Sequence, residues 1–283
     1  MATEAAATTT YDRAHGLGAV GRYGLLIAIS ALVLFPVYTT VIAAFKPRNR
    51  VLNNPLAPDS FTLSVFQDAW TEGRLGRFLW NSAVVAVVVT FSVVVTSVLS
   101  AYAFALLDFP GRTAVFLVFI ATLLVPLEAT IVVNRRTIDS LGWLNSYLGL
   151  TVPFLATAFG TFLVRQVLLT LPRDLRDAAA IDGVGHIGFL WNVAVPLIRP
   201  TLGALALFSF LGNWNSYLWP SLITTDDDMN TVQSGLKQLK TQGLDSPNLI
   251  MAGTIIAAIP IFAVLMVFQR QLVRGLTAGA VKG

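Results

Sequence analysis

Residues 80–107 read WNSAVVAVVVTFSVVVTSVLSAYAFALL, a run without one Asp, Glu, Lys or Arg. A bilayer core about 30 Å thick is crossed by roughly 20 residues of helix, so this run can span it. A strand is a poor solution here, because an open sheet in lipid leaves backbone groups unpaired. A barrel strand would alternate over about 10 residues instead of staying apolar throughout. Working outward, stretches of the same character lie at approximately 24–45, 113–133, 147–169, 200–222 and 249–269. The expected fold is therefore all-α: a polytopic membrane protein with six transmembrane helices. Pro126, Pro153, Pro220 and Pro260 fall inside these stretches and predict kinks or a lined cavity.

Composition agrees. Of 283 residues, 55% are hydrophobic and 12% charged, with a mean hydropathy of +0.71. Soluble domains carry about 25% charged residues, and a water-soluble fold this poor in charge would expose large apolar patches. Membrane lipid is thus an expected partner. The net charge of +4 is scattered and supports no nucleic-acid partner. The chain has no cysteine, which excludes disulfides and thiolate metal sites. His15 and His186 have no metal-ligand spacing or catalytic partners, and no nucleophile–base–acid set stands out. No metal, cofactor or catalytic residue is expected.

The polar N-terminal residues lack the apolar core of a signal peptide and read as a disordered cytoplasmic tail, 1–22. A transmembrane domain, 23–273, and a second tail, 274–283, complete the division. An even number of spans puts both termini on one side, but Lys and Arg flank the two sides nine against nine, so the positive-inside bias does not orient the chain.

Between the fourth and fifth stretches, residues 171–201 read LPRDLRDAAAIDGVGHIGFLWNVAVPLIRPT. The alanines allow a short helix to pack closely against another protein. Gly183 allows a sharp exit from that helix through φ > 0, and Pro196 and Pro200 mark entry to the next span. The segment resembles the cytoplasmic coupling loop of ABC importer permeases, whose signature is Glu-Ala-Ala, then Gly, then Ile/Val-x-x-Pro. Here Asp177 replaces the glutamate, Ala178 and Ala179 follow, Asp182 precedes Gly183, and Val195–Pro196 closes the motif. The resemblance implies the type I (MetI-like) permease fold. It also implies that Asp177, Ala178, Ala179, Asp182 and Gly183, within a loop of about 171–199, couple the chain to an ATPase, with that loop and both termini in the cytoplasm of a multi-pass bacterial plasma-membrane protein. Gly183, Gly185 and Gly188 also fit G-x-G-x-x-G, but a dinucleotide site needs a strand before it and a βαβ unit around it. No phosphate-binding G-x-x-x-x-G-K-[ST] run occurs, so ATP hydrolysis is left to a partner and the chain is not expected to be an enzyme.

Further stretches extend the resemblance: FKP at 45–47, FLWNSAVVA at 78–86, AYAFALLDFPGR at 101–112, WNSYLWP at 214–220 and RGLTAGAVKG at 274–283. They resemble the carbohydrate-uptake, MalG-like branch. VPLEATIVV at 125–133, LVRQVLLTLP at 163–172 and MVFQRQLVRGL at 266–276 look most like permeases of sn-glycerol-3-phosphate importers (UgpE type). The branch implies a MalF-like (UgpA-type) permease as heterodimer partner, two copies of a cytoplasmic ATPase, and an extracytoplasmic solute-binding protein. The implied solute is sn-glycerol-3-phosphate or a glycerophosphodiester, with a maltose- or trehalose-type sugar as alternative. A secondary transporter is the rival class, but neither inverted repeats nor coupling-ion carboxylates are evident beyond Glu128.

Four residues are candidates for the substrate pathway: Glu128, Asn213, Asn215 and Tyr217. Glu128 lies well inside the third stretch, where a carboxylate is costly unless it meets a cavity or a partner. It reads either as a pore-facing group or as an interface residue held by Arg135 or Arg136. In the fifth stretch the asparagines and Tyr217 suit hydrogen bonding to polyol hydroxyls, whereas Trp214 and Trp219 read more as an interfacial aromatic belt. Arg165 is expected to be structural, snorkelling to the interface. Asp226, Asp227 and Asp228 read as a solvated loop rather than a cation site.

Overall fold

The computed structural model describes residues 2–47, 56–57, 60–241 and 247–277, and every regular element among them is helical. Residues 278–283 of the expected C-terminal tail lie outside the described residues. In chain order the α-helices are α1 (Ala2–Ala44), α2 (Ser64–Thr71), α3 (Leu75–Leu106), α4 (Arg112–Ala121), α5 (Leu127–Ser140), α6 (Tyr147–Thr151) and α7 (Ala158–Leu168). There follow α8 (Arg173–Ile181), α9 (His186–Phe189), α10 (Val195–Leu197), α11 (Arg199–Trp214), α12 (Leu218–Ile223), α13 (Val232–Thr241) and α14 (Pro247–Thr277). Gly21–Ala44, Leu75–Leu106 and Pro247–Gln269 are each long and apolar enough to cross a membrane, and three bent pairs raise the number to six. The expected tail at 1–22 is drawn as helix continuous with the first span.

The breaks refine the sequence reading. The third span is Arg112–Leu124 plus Glu128–Ser140, turned through 100°. Pro126 sits at that break with ψ 139, which ends one helix and caps the next. The fourth span bends by 41° between Tyr147–Phe154 and Ala158–Leu168, next to Pro153. The fifth bends by 79° between His186–Leu197 and Arg199–Trp214; its helix ends at Trp214, and residues 218–223 form a separate short helix. Its first half contains a π-turn at Leu190–Ala194. Pro260, by contrast, lies inside the continuous α14.

α3 is the central post, packed against both α7 and α11. Its buried residues Val85, Val89, Val93 and Val98 join Leu150, Val164, Ile198 and Leu205 in one core. Leu75, Phe78 and Ala86, nearer its start, join Trp214, Leu236, Leu239 and Leu249 in a second. Lipid tails are as apolar as leucine, so close packing and buried hydrogen bonds, rather than the hydrophobic effect, fix these contacts.

At the start of α3 one polar residue gathers a distant loop. Asn81, fully buried, donates to the carbonyls of Asp228 at 2.8 Å and Asn230 at 2.9 Å, and accepts from the Tyr147 hydroxyl at 2.7 Å. Arg74 pairs with Asp228 at 2.8 Å, an exposed contact of small energetic weight. Asp226–Asp228 is therefore an anchored turn, and no cluster of three metal-ligating side chains occurs among the described residues. Replacing Asn81 by Ala takes this partner from the Asn230 carbonyl and the Tyr147 hydroxyl, while the Asp228 carbonyl keeps Arg77 Nε at 3.2 Å. It is expected to cost roughly 2 kcal/mol, read as a lowered unfolding midpoint of the purified protein in detergent.

Candidate functional site

Two features are candidates for function: a loop at one end of the bundle and an open cavity between its helices. The loop begins where Pro172, with ψ 136, turns the chain out of α7 and into α8. Asp174 in the first turn faces the positive end of the helix dipole. The helix closes as the glycine predicted. Gly183 has φ +71°, its N–H donates to Ala180 O at 3.1 Å, and the Val184 N–H donates to Ala179 O at 2.8 Å. Those two bonds make a Schellman cap.

α8 is almost entirely solvent-facing in this chain. Ala179 alone is buried along it, while Asp177, Ala178, Asp182 and Gly183 are exposed. Ile181 is 86% exposed and Ile187 is 76% exposed. Behind α8 lies an open cavity of about 500 Å³ that Arg173, Arg176 and Asp177 share with Arg112 and Asp108.

The inner cavity, of about 310 Å³, lies between α3, the α6–α7 break and α11. Val89, Val93, Phe154 and Phe208 form its apolar wall, and Thr157, Ser209 and Asn213 supply polar groups. Asn213 donates through Nδ2 to Ser209 O at 2.8 Å, and its Oδ1 remains available to a ligand.

The four pathway candidates are not gathered at one point. Asn215, two residues beyond Asn213, lies about 200° further round the helix. It is exposed, bonding Leu211 O at 2.9 Å and accepting from Gln233 of α13 at 3.4 Å. Tyr217 accepts a hydrogen bond from Lys237 of the same helix, whose ammonium also lies 4.9 Å from the ring centroid. Glu128 is exposed in the first turn of α5, and the 100° break removes the straight-helix depth assigned to it. Arg135 donates to Leu222 O at 2.9 Å, and no ion pair joins it or Arg136 to Glu128 among the described residues.

The tryptophans are core rather than belt. Trp214 is 2% exposed and donates to Ala257 O at 3.2 Å; Trp219 is 2% exposed and donates to Gly149 O at 3.0 Å. Arg165 is structural as expected, but tucked inward, with its guanidinium 4.1 Å from the Phe116 ring centroid. His186, without an expected partner, meets the Tyr102 hydroxyl at 3.1 Å.

Comparison with known proteins identifies the architecture. The model for binding-protein-dependent transport system inner membrane components matches residues 73–278. The chain belongs to this family. The permease is 38% identical to the sn-glycerol-3-phosphate transport system permease protein UgpE of Yersinia enterocolitica, over 89% of this chain and 93% of that one. It is 35% identical to the UgpE of Pectobacterium atrosepticum, over 94% and 98%. Among solved structures, a bacterial ABC transporter involved in the import of the acidic polysaccharide alginate superposes with a TM-score of 0.78 at 21% identity, over 90% of this chain and 96% of that chain. A second structure, of a bacterial alginate ABC transporter in complex with an alginate pentasaccharide-bound periplasmic protein, superposes with a TM-score of 0.63 at 13% identity, over 87% of this chain and 91% of that chain. These structures share the permease's fold. The permease is thus a multi-pass inner-membrane component of an ABC importer, and its break-rich helices are those of that fold.

Proposed function

We propose that the permease carries sn-glycerol-3-phosphate or a related glycerophosphodiester across the plasma membrane by alternating access. It does so paired with a MalF-like (UgpA-type) permease, two ATPase subunits and an extracytoplasmic solute-binding protein. The exposed α8, with its alanines, bare isoleucines and Gly183 cap, carries this reading: it is shaped to be covered and presents little of its own core. The identity with UgpE proteins over most of the chain supports the solute. In this reading α8 and both termini are cytoplasmic. ATP binding draws the ATPase dimer together, α8 moves with its subunit, and the bundle opens outward to receive solute. Asn213 contributes its free amide oxygen to hydroxyl groups of the solute inside the inner cavity. Glu128, Asn215 and Tyr217 stand outside that cavity, the last two against α13. A carboxylate repels phosphate, so Glu128 is assigned no contact with the phosphoryl group.

The test is uptake and ATP hydrolysis by the reconstituted importer, comparing sn-glycerol-3-phosphate with glycerophosphodiesters and maltose, each with its binding protein. Stimulation by the phosphorylated solutes is expected; stimulation by maltose alone removes the solute assignment. Ala178→Trp tests the docking face in the same assay. Ala178 is exposed in the chain, so a bulky side chain has room there unless a subunit lies over it. Uptake is expected to fall roughly tenfold or more, corresponding to an overpacking cost of about 1–3 kcal/mol at the interface. Wild-type uptake by that variant sinks the docking reading.

A further inference from the structure

The last turn of a helix leaves carbonyl groups without intrahelical donors. At the end of α3, carbonyls are claimed by arginines from three other elements. Arg165 of α7 donates through Nε to Phe104 O at 3.2 Å, Arg176 of α8 through Nη1 to Leu106 O at 3.0 Å, and Arg112 of α4 through Nη1 to Leu107 O at 2.8 Å. One turn earlier, the Tyr102 hydroxyl meets His186 Nδ1 at 3.1 Å, with the two rings edge-on at 6.2 Å. Arg176 lies before the Gly183 turn and His186 after it. The coupling segment is therefore fastened to α3 on both sides of its own bend.

We propose that α3 is the element that receives the displacement of α8, and that Arg176 and the Tyr102–His186 pair are the positioning residues that deliver it to the inner cavity. The proposal rests on the reading of α8 as the ATPase-docking helix. Two routes lead from α8 into the bundle, and they differ in stiffness. The covalent route runs through α9, the π-turn at Leu190–Ala194 and the 79° elbow before α11. Both irregularities are compliant joints, able to absorb a shift by changing local hydrogen bonding or angle. The route through α3 has no such joint. α3 is one helix of 32 residues, and Val93 in the cavity wall lies nine residues from Tyr102, about 14 Å along the axis. A push on the Leu106 carbonyl therefore reaches Val89 and Val93 as a movement of the whole helix. Arg165 and Arg112 hold the same end of α3 to α7 and α4, so the elements at this end move with it.

The experiment uses the complete importer in proteoliposomes, with solute uptake and ATP hydrolysis measured in the same vesicles and compared as solute moved per ATP. The variants are Tyr102→Phe, His186→Ala, their combination, Arg176→Gln and Arg176→Lys. Tyr102→Phe keeps the ring and removes only the hydroxyl, so it isolates the contact from packing. The ratio is expected to fall about fivefold in Tyr102→Phe, the equivalent of one net hydrogen bond. His186→Ala should produce no further loss in the Tyr102→Phe background, because both variants break one contact. Arg176→Gln, shorter and uncharged, should lower the ratio at least as far, with partial recovery in Arg176→Lys, which keeps the charge and a long donor-bearing side chain. A wild-type ratio in these variants overturns the proposal. So does a parallel fall of uptake and hydrolysis at constant ratio, or losses from Tyr102→Phe and His186→Ala that multiply. A wild-type assembly that imports solute without hydrolysing ATP overturns the docking reading itself and the strut with it, an outcome distinct from any behaviour of the variants.

Discussion

Gly183→Pro is expected to abolish ATP-driven uptake, by a hundredfold or more on the order of the strain and bond loss involved. Proline fixes φ near −65°, whereas Gly183 holds φ +71°. Proline also lacks the N–H that donates to Ala180 O at 3.1 Å. The turn that closes α8 then fails twice, and the segment from Val184 to His186 leaves in another direction. The surroundings of Gly183 sharpen the test, because a Cβ built there meets nothing within 4 Å. Space is available, so the penalty on any other residue is conformational. Asn tolerates the left-handed region better than Ala does. Uptake should therefore rank wild type, Gly183→Asn, Gly183→Ala, Gly183→Pro, with Ala losing about 1–2 kcal/mol of loop stability. If Gly183→Ala is worse than Gly183→Pro, or both transport normally, the left-handed turn is not what couples this loop.

That turn was legible in the sequence because its cause is local. A glycine after a run of helix formers, with prolines downstream, specifies the exit of a helix whatever surrounds it, and the same holds for span number, set by the length of apolar runs. What was not legible depends on residues far apart in the chain. Trp214 and Trp219 have the composition of an interfacial belt, and only the carbonyls of Ala257 and Gly149 make them core. His186 has no partner nearby in sequence, since Tyr102 comes from another helix 84 positions away. Asn81 could have been suspected, as an amide in an apolar run is expensive unless satisfied, but its partners at Asp228 and Asn230 could not be read. Proline stands at or beside each of the three helix breaks, whereas Pro260 lies inside a continuous helix. A proline removes one hydrogen bond wherever it stands, while the packing around it decides whether the helix breaks. The elbow between Leu197 and Arg199 falls where Pro200 opens α11, as the sequence marked, and Ile198 at the bend is buried at 1% exposure.

Gly235→Ala is the second variant with a large expected effect, and it acts through the packing of α13 on α3. Gly235 lies in α13, directly on the face of Phe78 in α3. An added Cβ would come within 2.1 Å of the ring at Cδ2 and 2.4 Å at Cε2. Phe78 is 3% exposed in the second core, so the ring has little room to retreat. Either α13 lifts from α3 or the ring forces a new arrangement on Leu75 and Leu249, and overpacking of this kind costs about 1–3 kcal/mol. Lifting α13 also carries away Gln233 and Lys237, which touch Asn215 and Tyr217. Gly235→Ala should thus lower both the thermal midpoint of the permease in detergent and its uptake in vesicles. Phe78→Leu alone removes ring volume and is itself destabilising. Combined with Gly235→Ala it vacates the space the new methyl group needs, so the double variant should be more stable than the sum of the two single losses predicts. Strict additivity would show that the clash with Phe78 is not what lowers stability, since Gly→Ala inside a helix is favourable on its own.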